Sequence, residues 1–203
     1  MRINQAKSLR IILCDINRKI TNAWKRHFEG VEDVEVRHGN ILETVADALV
    51  SPANSFGFMD GGLDYAISDF FEWKIQPRVQ AILRNEHFGE LPVGTAVVVE
   101  TGDDTFPYLV SAPTMRTPTS VDRTLNAYLA MRAILLAVLR FNQKHSHAIK
   151  SIAIPGLGTA VGRMPADRCA RQMRAAYDSV AVAAVREFTS LREARCAEMK
   201  LLE

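Results

Sequence analysis

Ala48-Leu49-Val50-Ser51-Pro52-Ala53-Asn54 opens the stretch that decides the fold, and it continues through the loop Ser55 to Asp60 into Gly61-Gly62-Leu63-Asp64. A short apolar run meets a proline, crosses a glycine-bearing loop and feeds a helical pattern, so the segment reads as strand, loop, helix. A second passage of this kind lies downstream, where Ser151-Ile152-Ala153-Ile154 reaches Pro155-Gly156-Leu157-Gly158-Thr159-Ala160-Val161-Gly162 and a helical run from Pro165. Glycines at such turns allow positive φ and close backbone approach, and the following helix offers unpaired N–H groups with a partial positive charge. Two such junctions imply two backbone cradles facing one anionic ligand, and a diphosphate suits that chemistry.

The rest of the chain supplies the frame. Leu9 to Ile16 is an isoleucine-rich run that reads as a buried strand, with Asn17 as a helix cap and an amphipathic helix over Arg18 to Glu29. Val34 to His38 alternates and stops at Gly39-Asn40, and Asp47 to Ser51 is the next strand. Helices follow from Leu63 and through Pro77 to Asn85. Val93 to Glu100 and Tyr108 to Ser111 read as neighbouring strands around the Gly102-Asp103-Asp104 turn. A long helix is expected over Val121 to Phe141 with Asp122 near its start, a strand over Ile149 to Ile154, and helices over Pro165 to Val185 and Arg186 to Leu202. Strands alternating with helices predict an α/β fold: a three-layer α/β/α sandwich around a mixed, mostly parallel sheet, its ligand at the carboxyl ends of the strands.

Composition narrows the function classes. At 203 residues, 48% hydrophobic and 24% charged, the chain suits one soluble domain with a substantial core. A net charge of +2, without a basic block interleaved with aromatics, gives no indication of direct nucleic-acid binding. The 3 cysteines, Cys14, Cys169 and Cys196, form no CxxC pair, so neither a disulfide framework nor a zinc knuckle is indicated, and Cys14 reads as a buried strand residue. The 5 histidines, His27, His38, His87, His145 and His147, make no HExxH pattern, and no metal is expected. Met1 to Arg10 lacks the apolar core of a leader, and no run is long enough to span a membrane, so the expected location is cytoplasmic.

Taken in order, Gly39-Asn40-Ile41 after a strand, Asp47 to Asn54, Gly61-Gly62-Leu63-Asp64, the strand ending at Pro113 and the Pro155 to Pro165 loop resemble the macro domain, a fold that recognises ADP-ribose. The resemblance is strongest over residues 34–180. It implies a single domain spanning 1–203, closed by a C-terminal helix over 186–203. It further implies a binding site built from Asn40, Ile41, Ala53, Asn54, Gly61, Gly62, Leu63, Gly156, Gly158, Thr159, Ala160, Val161 and Gly162. In the family, the asparagine matching Asn54 contacts the distal ribose. An aspartate matching Asp64 helps position the attacking water in members that hydrolyse ADP-ribosyl esters, with substrate phosphate assisting. Asn54 and Asp64 are therefore the expected catalytic pair.

Each of these residues has a plainer reading. Asn54 can bond its own turn, and Asp64 can cap the helix or complement its dipole. Gly156, Gly158 and Gly162 weakly match a dinucleotide fingerprint, with Asp178 at the expected distance, but Asp178 falls inside a helical run rather than at a strand end. Ser51, Ser55 and Ser111 lack a GxSxG elbow.

Three departures from the family pattern bear on specificity. Asn40 stands where many members carry an aspartate that reads the adenine amino group. Gly162 occupies the place of an aromatic beside the distal ribose, leaving a gap or a role for Phe56 or Phe58 as a substitute stack. Ser111-Ala112-Pro113 replaces a histidine-bearing motif.

The resemblance implies a mono-ADP-ribosyl hydrolase acting at the distal ribose of ADP-ribose or an ADP-ribosylated macromolecule. No cofactor beyond that ligand is expected. A non-catalytic ADP-ribose reader and an ADP-ribose 1″-phosphate phosphatase stand as alternatives.

Overall fold

The computed structural model describes residues 9–146, 148–181 and 187–203. The expectations that touch Met1 to Ser8, His147 and positions 182–186 therefore lie outside the described residues. In chain order the elements are β1 (Arg10–Asp15), α1 (Arg18–His27), β2 (Val34–His38), a 3-10 turn (Ile41–Glu43), β3 (Ala48–Ser51), α2 (Gly62–Phe70), α3 (Ile75–His87), β4 (Val97–Glu100), β5 (Tyr108–Ser111), α4 (Asn126–Lys144), β6 (Ser151–Ile154), α5 (Ala166–Val180) and α6 (Leu191–Leu202).

The strands form one 6-stranded sheet in the order β2-β1-β6-β3-β5-β4, parallel except for β4, which runs antiparallel to β5. Alternation along the strands makes both faces apolar. Ile11, Leu13, Val110, Ile152 and Ile154 pack on one side with Ile20 and Trp24 of α1, Ile134 of α4 and Met173 of α5. Ile12, Cys14, Leu49, Leu109 and Ala153 pack on the other with Ile67 of α2 and Val79 and Leu83 of α3. A strand buried on both faces must be apolar at every position, which is why these runs show no polar interruption. The expected three-layer α/β/α arrangement with a mixed, mostly parallel sheet is what the chain adopts.

Several boundaries differ from the sequence reading, each for an identifiable reason. The Val93 to Ala96 segment is a turn rather than strand, because Gly94 takes φ +94° and Thr95 N donates to Pro92 O. The long helix begins at Asn126, not Val121: Val121 N is committed to Gly162 O at 2.7 Å, and Thr124 Oγ1 closes back on Val121 O. Position 122 is therefore in the preceding turn. The last helix begins at Leu191, capped by Ser190, and has no buried residue. Its carboxyl end is held by Gln172 Nε2 on Leu201 O (3.0 Å) and Arg168 Nη2 on Glu203 O (3.0 Å).

The insertion of β6 between β1 and β3 matters most for function. It brings the loop after Ile154 out between the ends of β1 and β3, beside the loop that leaves Ser51, on the same carboxyl edge of the sheet.

Candidate functional site

Pairing between β3 and β5 does not stop at Ser51. Ala112 N donates to Ser51 O, Thr114 N to Ala53 O and Ser55 N to Arg116 O, and Asn54 bridges to Met115. Ala53 is thereby buried in a fixed backbone. Asn54 marks the point where the ladder breaks. Its side-chain oxygen accepts from Phe56 N (3.1 Å) and Phe58 N (3.3 Å), and its amide donates to Phe58 O (2.7 Å). The asparagine thus folds the 54–58 loop around its own side chain, as the turn reading describes.

The loop lands on α2, whose N-cap Gly61 offers no side-chain cap. Among the described residues no acceptor takes the amides of Asp60, Gly61, Gly62, Leu63 or Asp64, so the first turn presents a row of free N–H groups. Gly61 and Gly62 are exposed, and Leu63 is half-buried behind them. Asp64 lies in that turn but does not cap it. It turns inward and is only 9% exposed, its Oδ1 accepting from Ser51 Oγ at 2.6 Å. Burial pushes its carboxyl up to about 6, against the opposing pull of the Ser51 hydroxyl.

The second cradle is the loop after β6. Gly156 N donates to Asp15 Oδ2 (3.1 Å) at the end of β1, and Thr159 Oγ1 donates to Gly156 O (3.3 Å). Met164 N returns to Gly158 O and Arg163 N to Ala160 O, closing the loop on itself. Gly158 holds φ +72°, where an L side chain is strained. Among the described residues the amides of Leu157, Gly158, Thr159, Ala160, Val161 and Gly162 find no acceptor. Ala160 and Val161 are exposed, Thr159 is half-buried, and Leu157, Gly158 and Gly162 are buried, so the middle of this row is the part open to solvent. Convergent free amides of this kind form an anion-binding nest.

The gap expected at Gly162 is not open. Gly162 is buried, and a Cβ there would lie 2.6 Å from both Gly158 O and Val121 Cγ2. Glycine is required for close packing rather than to leave room for a ligand. Of the two proposed substitute aromatics, Phe56 lies under Arg116 (guanidinium carbon 4.9 Å from the ring centre), itself paired to Glu90, and Phe58 is 52% exposed. Asn40 caps the 3-10 turn through Leu42 N (3.1 Å) and donates to Glu43 (3.3 Å), so its carbonyl is already engaged. Ile41 is buried beneath it.

Asp15 and Val121 went unnoticed in the sequence. Asp15 anchors Gly156 and also accepts from Asn17 N (2.8 Å), and Val121 walls both Gly158 and Gly162. The only signal for Asp15 was a charged residue closing an otherwise apolar strand. Val121 gave none, since its partners are distant in sequence. Among the described residues no three His, Cys, Asp or Glu side chains come together as metal ligands. None of the described helices is long and apolar enough to cross a membrane.

Comparison with known proteins agrees with this architecture. A family model described as the Macro domain matches residues 50–173. An uncharacterized protein of Aquifex aeolicus is 34% identical over 141 residues, covering 70% of this chain and 78% of the relative. The macrodomain of Mycobacterium tuberculosis DarG superposes with a TM-score of 0.54 at 22% identity, over 70% of this chain and 88% of that one. Thermosipho africanus DarTG, solved in complex with ADP-ribose, does so with a TM-score of 0.53 at 14% identity, over 80% of this chain and 50% of that one. With its β3 loop, its glycine pair and its late glycine loop on one edge of a mixed sheet, the chain belongs to the macro-domain family.

Proposed function

We propose that this macro domain binds ADP-ribose and hydrolyses the bond between its distal ribose and a linked group. The observation that carries the reading is the pair of unpartnered amide rows, Asp60 to Asp64 and Leu157 to Gly162, leaving adjacent strands at one sheet edge. Two rows of donors at close quarters suit a diphosphate, which offers several charged oxygens along a short backbone. The ADP-ribose bound by the Thermosipho relative is such a ligand.

For the chemistry, Asp64 supplies a carboxylate beside the first cradle. Held near pH 6 by burial, it is ionised at neutral pH yet basic enough to accept a proton from a water in the attacking step. Ser51 fixes one carboxylate oxygen, leaving the other to orient that water toward the anomeric carbon. The proton passes from water to Asp64 as the new C–O bond forms and the acceptor oxygen leaves with the electron pair of the broken bond.

A binding-only role is favoured by one feature, the inward turn of Asp64 onto Ser51. One experiment separates the readings: mono-ADP-ribosylated protein incubated with the purified chain, scored for released ADP-ribose, alongside calorimetry with free ADP-ribose. Release that Asp64→Ala slows while affinity persists supports the hydrolase. Affinity without release identifies a reader, phosphate liberated from ADP-ribose 1″-phosphate identifies a phosphatase, and no affinity refutes the proposal.

A further inference from the structure

The far edge of the sheet carries a second recognition feature, remote from both cradles. β4 is the edge strand, and its stretch Ala96-Val97-Val98-Val99-Glu100 carries neither lysine nor proline, the usual guards against strand pairing. Its register with β5 shows which groups are free. Thr101 N donates to Pro107 O (3.0 Å), and Val97 and Val99 fall at the same phase of the ladder, opposite Ser111 and Leu109. Val98 and Glu100 therefore direct their backbone groups away from β5. Arg78 Nη1 covers Glu100 O (3.0 Å) and closes that end. The Val98 N–H and C=O and the Glu100 N–H have no partner among the described residues.

This edge forms one side of a groove of about 450 Å3 bounded by α3 and α4, within the range of about 300–1,000 Å3 usual for ligand clefts. Ile82 of α3 and Ala133 and Ala137 of α4 give it apolar walls. Arg140 and Lys144, one helical turn apart on α4, add cations that make no ion pair among the described residues, against the carboxylates of Glu86 on α3 and of the exposed Glu100 at the end of β4.

We infer that β4 is a docking edge for an extended acidic segment of a partner protein, which pairs with Val98 and Glu100 as an added strand while its carboxylates meet Arg140 and Lys144. Free ladder groups select an extended backbone, since a helix has already used its own amides. The walls select the side chains: residues of an added strand alternate between the two faces, so acidic residues face α4 and β-branched apolar residues face α3.

The test is a random dodecapeptide display selection on the full chain, counter-selected on the Arg140→Glu/Lys144→Glu variant. The expected winners alternate Asp or Glu with Val or Ile. A fluorescein-labelled winner should bind the wild-type chain, lose affinity about tenfold or more against the charge-reversal variant, and not bind Val98→Pro, which lacks the edge N–H. Amide NMR shifts on titration should centre on positions 96–100. Circular dichroism checks both variants, and the two exposed α4 substitutions carry the test if Val98→Pro does not fold. No enrichment, winners indifferent to the charge reversal, shifts centred elsewhere, or sedimentation showing that a second copy of the chain occupies the edge would each overturn the inference. Because β5 lies between this edge and β3, and neither α4 position belongs to a cradle, the response to ADP-ribose serves as an independent readout and should not change in the α4 variant.

Discussion

Replacing Asp64 with asparagine should stabilise the protein at neutral pH, although it alters the residue placed at the centre of the proposed chemistry. Burial raises the Asp64 carboxyl from 3.8 to about 6, so ionising it is costlier in the folded chain than in the unfolded one. At 1.36 kcal/mol per pKa unit the cost is about 3 kcal/mol once both states are ionised. The sign follows from linkage. A carboxyl whose folded pKa is raised contributes its stability below the unfolded value near 3.8 and loses it as pH climbs through about 6. Asparagine keeps the volume and can keep the Ser51 hydrogen bond through its own oxygen, but it carries no charge to desolvate.

The gain from Asp64→Asn should therefore be as much as about 3 kcal/mol at pH 8, roughly 1.5 at pH 5 and about 0.5 at pH 4. At neutral pH this corresponds to a Tm rise of about 6–12 °C for a chain of this size. Urea unfolding of both proteins from pH 4 to 8, analysed at constant m, measures it directly. A variant less stable than wild type at pH 8, or a difference flat across the range, would refute the claim that Asp64 is ionised at a desolvation cost. Turnover lost together with stability gained is the pattern expected of a group held in an unfavourable setting for chemistry.

Other outcomes follow from the same geometry. Ser51→Ala removes a hydrogen bond to a carboxylate, so the acid limb of any Asp64-dependent turnover should move upward by about one to two pH units; an unmoved profile would exclude Ser51 as a positioning residue. Gly162→Ala places a methyl 2.6 Å from Gly158 O, which must displace the second cradle and weaken ADP-ribose binding by about tenfold or more in calorimetry. Native protein treated with Ellman's reagent should yield one rapidly reacting thiol, the exposed Cys196. Cys14 and Cys169 are buried, with the Cys169 thiol pushed up to about 12, and should react only after unfolding.

Much of the fold was legible locally. The uninterrupted apolar strands, the amphipathic α1 and the punctuation by Gly39, Gly61-Gly62 and Gly156 follow from periodicity and turn chemistry, which operate over a few residues. These signals identified the α/β class and put both glycine loops at strand ends. The family match spans residues 50–173, which take in both glycine loops. Strand order was not legible, because which strands become neighbours depends on how distant helices cover the sheet. The late start of α4 at Asn126 was hidden for a related reason: Val121 is drawn off by a contact with Gly162 in the late loop.

At the candidate site, the sequence was enough to single out Asp64, Asn54 and the glycines by residue type and spacing. Only the folded chain decided what their side chains do. Asn54 spends its amide on its own loop, and Asp64 turns inward to Ser51 rather than capping α2. Gly162 packs against Val121 where a gap had been expected. A side chain's partner is whichever group three-dimensional packing brings within about 3 Å, and no local propensity encodes that distance. That the two loops leave neighbouring strands has the same origin, since β6 enters the sheet between β1 and β3.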